Sequence, residues 1–149
     1  MSKYAMKKKV EETFILSEEV AIEQVNELLG YYDIDIEALI AGDEKSGGSF
    51  EKALDHVARG FRKEVLSIDY DKDGKIQVVQ KLVNGSELTY AEISAKNKIA
   101  MEKFDPQAGY SRIYAFMGSL CGVGKAGIEK LGPQDLAIVE VLGTVFLHA

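Results

Sequence analysis

The segment Asp69-Tyr-Asp71-Lys-Asp73-Gly74-Lys-Ile76 puts oxygen side chains at positions one, three and five of a loop, glycine at six and isoleucine at eight. That is the spacing of an EF-hand calcium loop, where carboxylates two residues apart converge on one hard cation. Phe61, Val65 and Ile68 upstream imitate an entering helix. The twelfth position, however, is the neutral Gln80, where calcium wants a bidentate carboxylate. Val78-Val79 favours strand, and Asn84-Gly85 interrupts any exiting helix. The competing reading is a β-hairpin with Asp69 and Asp71 on its wet face. Weak calcium binding by Asp69, Asp71 and Asp73 stays open within it, and no other metal or cofactor is expected.

Gly122-Val-Gly124-Lys-Ala-Gly127 spells GxGxxG. A dinucleotide site uses such glycines after a strand and before a long helix. Here the upstream pattern is helical, and Gly132-Pro133 follows within about two helical turns. The glycines are therefore expected to connect helices. Ala126 stands where a Walker loop needs Ser or Thr, so magnesium-nucleotide binding is not expected either. His56 and His148 lack a cysteine or histidine at ligand spacing, which argues against zinc. Cys121, the single cysteine, reads as a buried thiol in a reducing compartment. Asp33, Asp35 and Glu37 could bind a metal, but acids at a helix start or in a solvated loop explain them with fewer demands. Gly118 directly precedes Ser119, so no nucleophile elbow is formed. No catalytic residue is expected.

These residues must be positioned by a predominantly helical α+β fold, with N-terminal helices, a central β-hairpin or three-stranded meander, and a C-terminal helical bundle. Ser17 caps a helix that starts with Glu18 and Glu19 and carries Ala21, Val25, Leu28 and Leu29 up to Gly30. Tyr31 to Ala41 is a short mixed segment, and residues 42–48 form a polar loop. Ser49 is expected to cap the next helix, whose stripe Phe50, Leu54, Val57, Phe61 and Val65 has steps of four, three, four and four. The period then changes to two. Leu66, Ile68 and Tyr70 alternate with polar residues, as do Ile76, Val78, Gln80 and Leu82. A three-residue turn with Gly74 left-handed sets Tyr70 opposite Ile76 and Ile68 opposite Val78. A two-residue Asp73-Gly74 turn would mix the faces. Asn84-Gly85 predicts a second hairpin turn and a third strand around Glu87 to Thr89. Thr89-Tyr-Ala-Glu92 reads as a capping box for a helix carrying Ile93, Ala100, Met101 and Phe104 and ending at Asp105-Pro106. Further helices hold Tyr110 to Leu120, Lys125 to Leu131, and Gln134 to Leu147. The last is apolar nearly all round, with Glu140 and Thr144 as exceptions, so it is either buried or shared with a partner. The surface candidate within it is Leu136, Val139, Leu142 and Phe146; the other reading is that these four fill the core.

The 149 residues suit one domain over 10–149, divided into an acidic helical part (10–64), a hairpin region (65–90) and C-terminal helices (91–149). Residues 1–9 read as a flexible basic arm or an appended remnant, since Met6 offers a second start. Because the chain carries −6 and its first nine residues +4, the remainder carries −10. Residues 11–44 contain eleven acids and no Lys or Arg. Nucleic-acid partners are not expected, because they need a basic track. No membrane span is expected either: the longest apolar stretch, Leu136 to Leu147, is broken by Glu140 and too short. No N-terminal signal-peptide pattern is seen, so a soluble intracellular protein is expected.

From about residue 66 to 148 the chain resembles the bacteriophage tail assembly chaperones. A hairpin with a glycine turn (Leu66 to Leu82) is followed by Gly85-Ser-Glu-Leu88-Thr89-Tyr90-Ala-Glu92 leading into a helix. Then comes Met117-Gly-Ser-Leu120-Cys-Gly122-Val-Gly-Lys-Ala-Gly-Ile128-Glu-Lys-Leu131-Gly-Pro-Gln-Asp135 and an apolar helix ending in Phe146-Leu147. The resemblance implies a small cytoplasmic protein of the bacterial host that coats the long, helical tape measure protein. The coat keeps the tape soluble until tail-tube subunits polymerise around it. Partners so implied are the tape measure protein, the tail-tube protein and further copies of the chain, without enzymatic activity. Residues 1–64 lie outside the resemblance, so a structural tail or neck protein of the virion is the alternative, alongside a calcium-binding module.

Overall fold

The computed structural model describes residues 14–43 and 48–149. The basic arm expected at 1–9 and most of the loop expected at 42–48 lie outside the described residues. The described chain holds seven helices and a three-stranded antiparallel meander, and is 56% helical. The α+β, mostly helical architecture read from the sequence is the one observed.

Helix α1 (Glu18–Tyr31) starts as expected, with Ser17 Oγ accepting from Val20 N at 3.2 Å. It buries Ala21, Val25, Leu28 and Leu29. Helix α2 (Ile36–Asp43) is short, and Asp35 Oδ1 accepts from Ala38 N in its first turn. Helix α3 (Ser49–Arg62) is capped by Gly48 in a left-handed conformation, so Ser49 is the first helical residue rather than the cap. It buries Phe50, Ala53, Val57, Gly60 and Phe61.

Strands β1 (Leu66–Tyr70), β2 (Ile76–Lys81) and β3 (Glu87–Tyr90) follow in sequence order. Tyr70 pairs with Ile76 and Ile68 with Val78, as the alternation demanded. Both turns use one device. Asp71 N donates to Lys75 O and Gly74 N to Asp71 O, while Leu82 N donates to Ser86 O and Gly85 N to Leu82 O. Gly74 and Gly85 have φ of 77° and 90°, a conformation that glycine adopts without steric cost.

The capping box expected at Thr89 does not form. Leu88 and Tyr90 are buried against β2, so the alternating pattern carries the strand through Thr89. Helix α4 begins later, at Ala95–Ile99, where Asn97 Oδ1 accepts from Ser94 N at 2.8 Å. It is only five residues long, and turns carry the chain on to Phe104.

Helices α5 (Gly109–Cys121), α6 (Gly124–Glu129) and α7 (Pro133–Phe146) complete the fold. Helix α7 packs against α3 on one side and α5 on the other. Val139, Leu142, Val145 and Phe146 are essentially inaccessible. Each contributes roughly 1.5–3 kcal/mol by burial. Glycines allow the close crossings. A Cβ on Gly143 would lie 2.8 Å from Ile113 Cγ2, and one on Gly60 2.9 Å from Leu66 Cδ1. At Gly118 the obstacle is backbone, with Gly124 C at 2.3 Å and Lys125 N at 2.8 Å.

Gly118→Ala is therefore expected to cost at least about 2 kcal/mol, because rigid backbone must move to admit a methyl group. The gain in helix propensity, about 1 kcal/mol, is smaller. Gly30→Ala, in α1, meets nothing within 4 Å. It should stabilise by about 0.5 kcal/mol. Urea titrations of the two variants test the opposite signs.

Candidate functional site

The three aspartates of the calcium-like loop sit on a strand–turn–strand, not between two helices. Asp71 Oδ1 accepts from Asp73 N at 2.8 Å and Lys75 N at 3.0 Å, so this carboxylate braces the turn. Asp69 Oδ1 accepts from Tyr70 N. Gln80, the twelfth position, is fully buried on the other side of the sheet. Its Oε1 accepts from Tyr90 Oη at 2.6 Å, and its Nε2 donates to Asp135 O at 3.0 Å. It cannot also reach a cation at the turn. Among the described residues no three or more His, Cys, Asp or Glu side chains are grouped to hold a metal ion.

The other motifs also resolve into structural parts. Gly122 is the left-handed C-cap of α5, so GxGxxG joins two helices. Ser119 Oγ donates to Phe116 O and accepts from Asn97 Nδ2, which occupies the hydroxyl. Cys121 is half-buried, and burial pushes its thiol up, away from the reactive thiolate. His148 packs edge-on to Phe50 with ring centroids 5.0 Å apart.

Of the apolar residues considered as a partner surface, Val139, Leu142 and Phe146 lie in the core and Leu136 is partly buried against it. Val139, Leu142 and Phe146 are thus committed to the core of this fold, while Ile138 of the same helix is only partly covered. The two exceptions to α7's apolarity have internal partners. Tyr114 Oη donates to Glu140 Oε2 at 2.6 Å, and Thr144 Oγ1 donates to Glu140 O.

What the fold does present is a groove of about 810 Å³ where α3, the start of α7 and the β2–β3 turn meet. Its apolar lining is Gly60, Val65, Leu82 and Ile138, with the exposed Val83 at its edge. Its walls carry four cationic side chains, Lys52, Arg59, Lys63 and Lys81, with His56, against two carboxylates, Asp55 and Asp135. The α3 contributors at 52, 56 and 59, continued by Lys63 at the C-cap, follow helical spacing on one face. The far wall is fixed by hydrogen bonds, because Asp135 Oδ1 accepts from Val83 N at 3.1 Å while Asp135 O holds Gln80. This groove was not anticipated from the sequence. The only advance signal was the basic content of residues 52–63, off the apolar stripe of α3.

Compared with protein-family models, curated proteins and solved structures, the chain matches none. No helix among the described residues is long and apolar enough to cross a membrane.

Burial pushes the Tyr90 phenol far up, and the hydrogen bond to Glu140, followed by burial, pushes Tyr114 up to about 12. A raised folded-state value means that the fold favours the neutral phenol. The associated stability is whole below the ordinary value of 10.0 and is lost as pH rises through about 12. Alkaline unfolding followed by tyrosinate absorbance should therefore set in above pH 10, and Tyr114→Phe should flatten part of the loss. At neutral pH, Tyr90→Phe strands the buried Gln80 carbonyl and should cost about 1–3 kcal/mol by urea titration; adding Gln80→Leu should recover part of it.

Proposed function

We propose that this protein is a bacteriophage tail assembly chaperone, acting in the cytoplasm of the bacterial host to bind the tape measure protein and keep it soluble before tail-tube polymerisation. The observation that carries the reading is the groove: an apolar floor beside two helices, under a cationic rim. Such a surface suits one turn after another of an amphipathic helix whose apolar stripe is bordered by acids. The resemblance over residues 66–148 supports the same reading; that region supplies Lys81, Leu82, Val83, Asp135 and Ile138 to the groove, and residues 52–65, outside the resemblance, supply the other wall. A tape measure protein exposes long apolar helical stripes that aggregate when bare. Many weak, repeated contacts along such a rod add up to effective cover. The work of the site is therefore binding rather than catalysis, with no cofactor needed.

Co-expression with the tape measure protein of the same genome tests this. A soluble complex that survives EDTA is expected, and Lys52→Glu with Lys81→Glu should cut its yield several-fold. No complex and no gain in client solubility would end the proposal. Presence of the protein at many copies in purified virions would favour a structural tail or neck component instead.

A further inference from the structure

We propose that Asp135 makes the groove selective for helices that are acidic along one border of their apolar stripe and basic along the other. This rests on reading the groove as a helix site, and it sharpens which helix fits. The charges of the groove are unevenly spread. Its cationic side chains come from α3, from the C-cap of α3 and from β2. Arg59 and Lys63 have partners within the chain, so Lys52 and Lys81 carry the attraction for a client's acids, and Asp55 offsets part of it. The other wall is formed by Val83 of the β2–β3 turn with Gln134 and Asp135 of α7, and it contributes a carboxylate and no cation.

Asp135 is held in place from two sides. Its Oδ1 accepts from Val83 N at 3.1 Å, and its main-chain carbonyl accepts from Gln80 Nε2 at 3.0 Å. These bonds keep the carboxylate on the wall, so it does not swing away from a bound client. No other hydrogen bond engages this carboxylate among the described residues, which leaves Oδ2 open. An open carboxylate oxygen accepts strongly from Lys or Arg and repels Glu or Asp. The residue is half-buried beside apolar lining, where salt screens it less than on open surface. A helix lying along α3 therefore meets lysines on one border and a carboxylate on the other. Acids on both borders would set one row against Asp135. Acid, apolar stripe, base is the order that satisfies both walls. Exposed ion pairs are individually weak, so the apolar lining supplies affinity while Asp135 chooses between clients.

Fluorescence anisotropy of labelled helical peptides titrated with the full chain tests this. Both peptides carry leucines at helical spacing. One has Glu on one border and Lys on the other; the second has Glu on both. The wild-type chain should bind the mixed peptide about fivefold more tightly at about 0.15 M salt. Asp135→Asn keeps an acceptor for Val83 N and removes the charge. It should bring the two affinities together, the acidic peptide gaining and the mixed one losing. A merely structural role would leave that ratio unmoved. Asp135→Ser also removes the charge and gives a second measurement of the same ratio, with circular dichroism checking the fold. Lys52→Glu with Lys81→Glu should weaken both peptides several-fold. Equal binding of the two peptides by the wild-type chain, or of neither, overturns the inference. So does a preference that survives both Asp135 variants, or binding indifferent to the double lysine variant. Selective peptide binding without a tape measure complex sinks the chaperone reading and leaves this inference standing; a tape measure complex with an indifferent groove does the reverse.

Discussion

Helix α7 has almost no polar face, and its burial organises the fold. A helix apolar nearly all round must be covered from more than one direction. Helices α3 and α5 provide that cover. The covering helices must come close, and small residues mark where they do. Gly143 on α7 admits Ile113 and Met117, while Gly60 on α3 admits Leu66 and leaves Ile138 just beyond. Gly118 then brings α6 against α5 backbone to backbone. The hydrophobic cluster draws on every long element from α1 to α7. It includes Val25, Phe61, Val78, Phe116 and Val145 among its buried members.

Covering α7 forces polar groups inward, and each needs a partner, since an unpaired buried polar group costs several times the net worth of a hydrogen bond. Among the described residues Gln80 and Asn97 are the buried polar side chains. Gln80 sits between Tyr90 and the Asp135 carbonyl. Asn97 sits between Ser94 and Ser119. The two residues do similar work at opposite ends of the packing: one ties the sheet to the start of α7, the other ties α4 to α5. Both specify geometry that apolar contacts alone leave loose, because apolar contact has no direction.

Local periodicity was legible where one force dominated. The hairpin register followed from alternation, since a slip would have mixed wet and dry faces, and Tyr70 opposite Ile76 was recoverable from spelling alone. The α3 stripe was legible for the same reason. Thr89 misled because a capping-box spelling is satisfied by two residues three apart, Thr89 and Glu92, whereas Leu88 and Tyr90 gain more by burial in the sheet. Gln80 read as a failed calcium ligand because nothing in its neighbours announces Tyr90 and Asp135, ten and 55 positions away. The groove was illegible for a related reason. Its walls come from residues 52–63, 81–83 and 134–138, which only tertiary packing brings together.

The location of the groove also changes the physical argument about binding. A partner surface on α7 would have to compete with the core for the same side chains, so binding there would require the fold to open. A groove beside α7 avoids that conflict, because Ile138 and Gly60 line it from the rim of the core without leaving it. Its cations stand against a chain that is otherwise strongly acidic. Within about one Debye length, near 8 Å, a negatively charged group meets the cations of the groove, whereas the acidity of more distant parts of the surface is largely screened. The local arrangement of charge around the groove, rather than the net charge of the chain, therefore sets what the groove attracts.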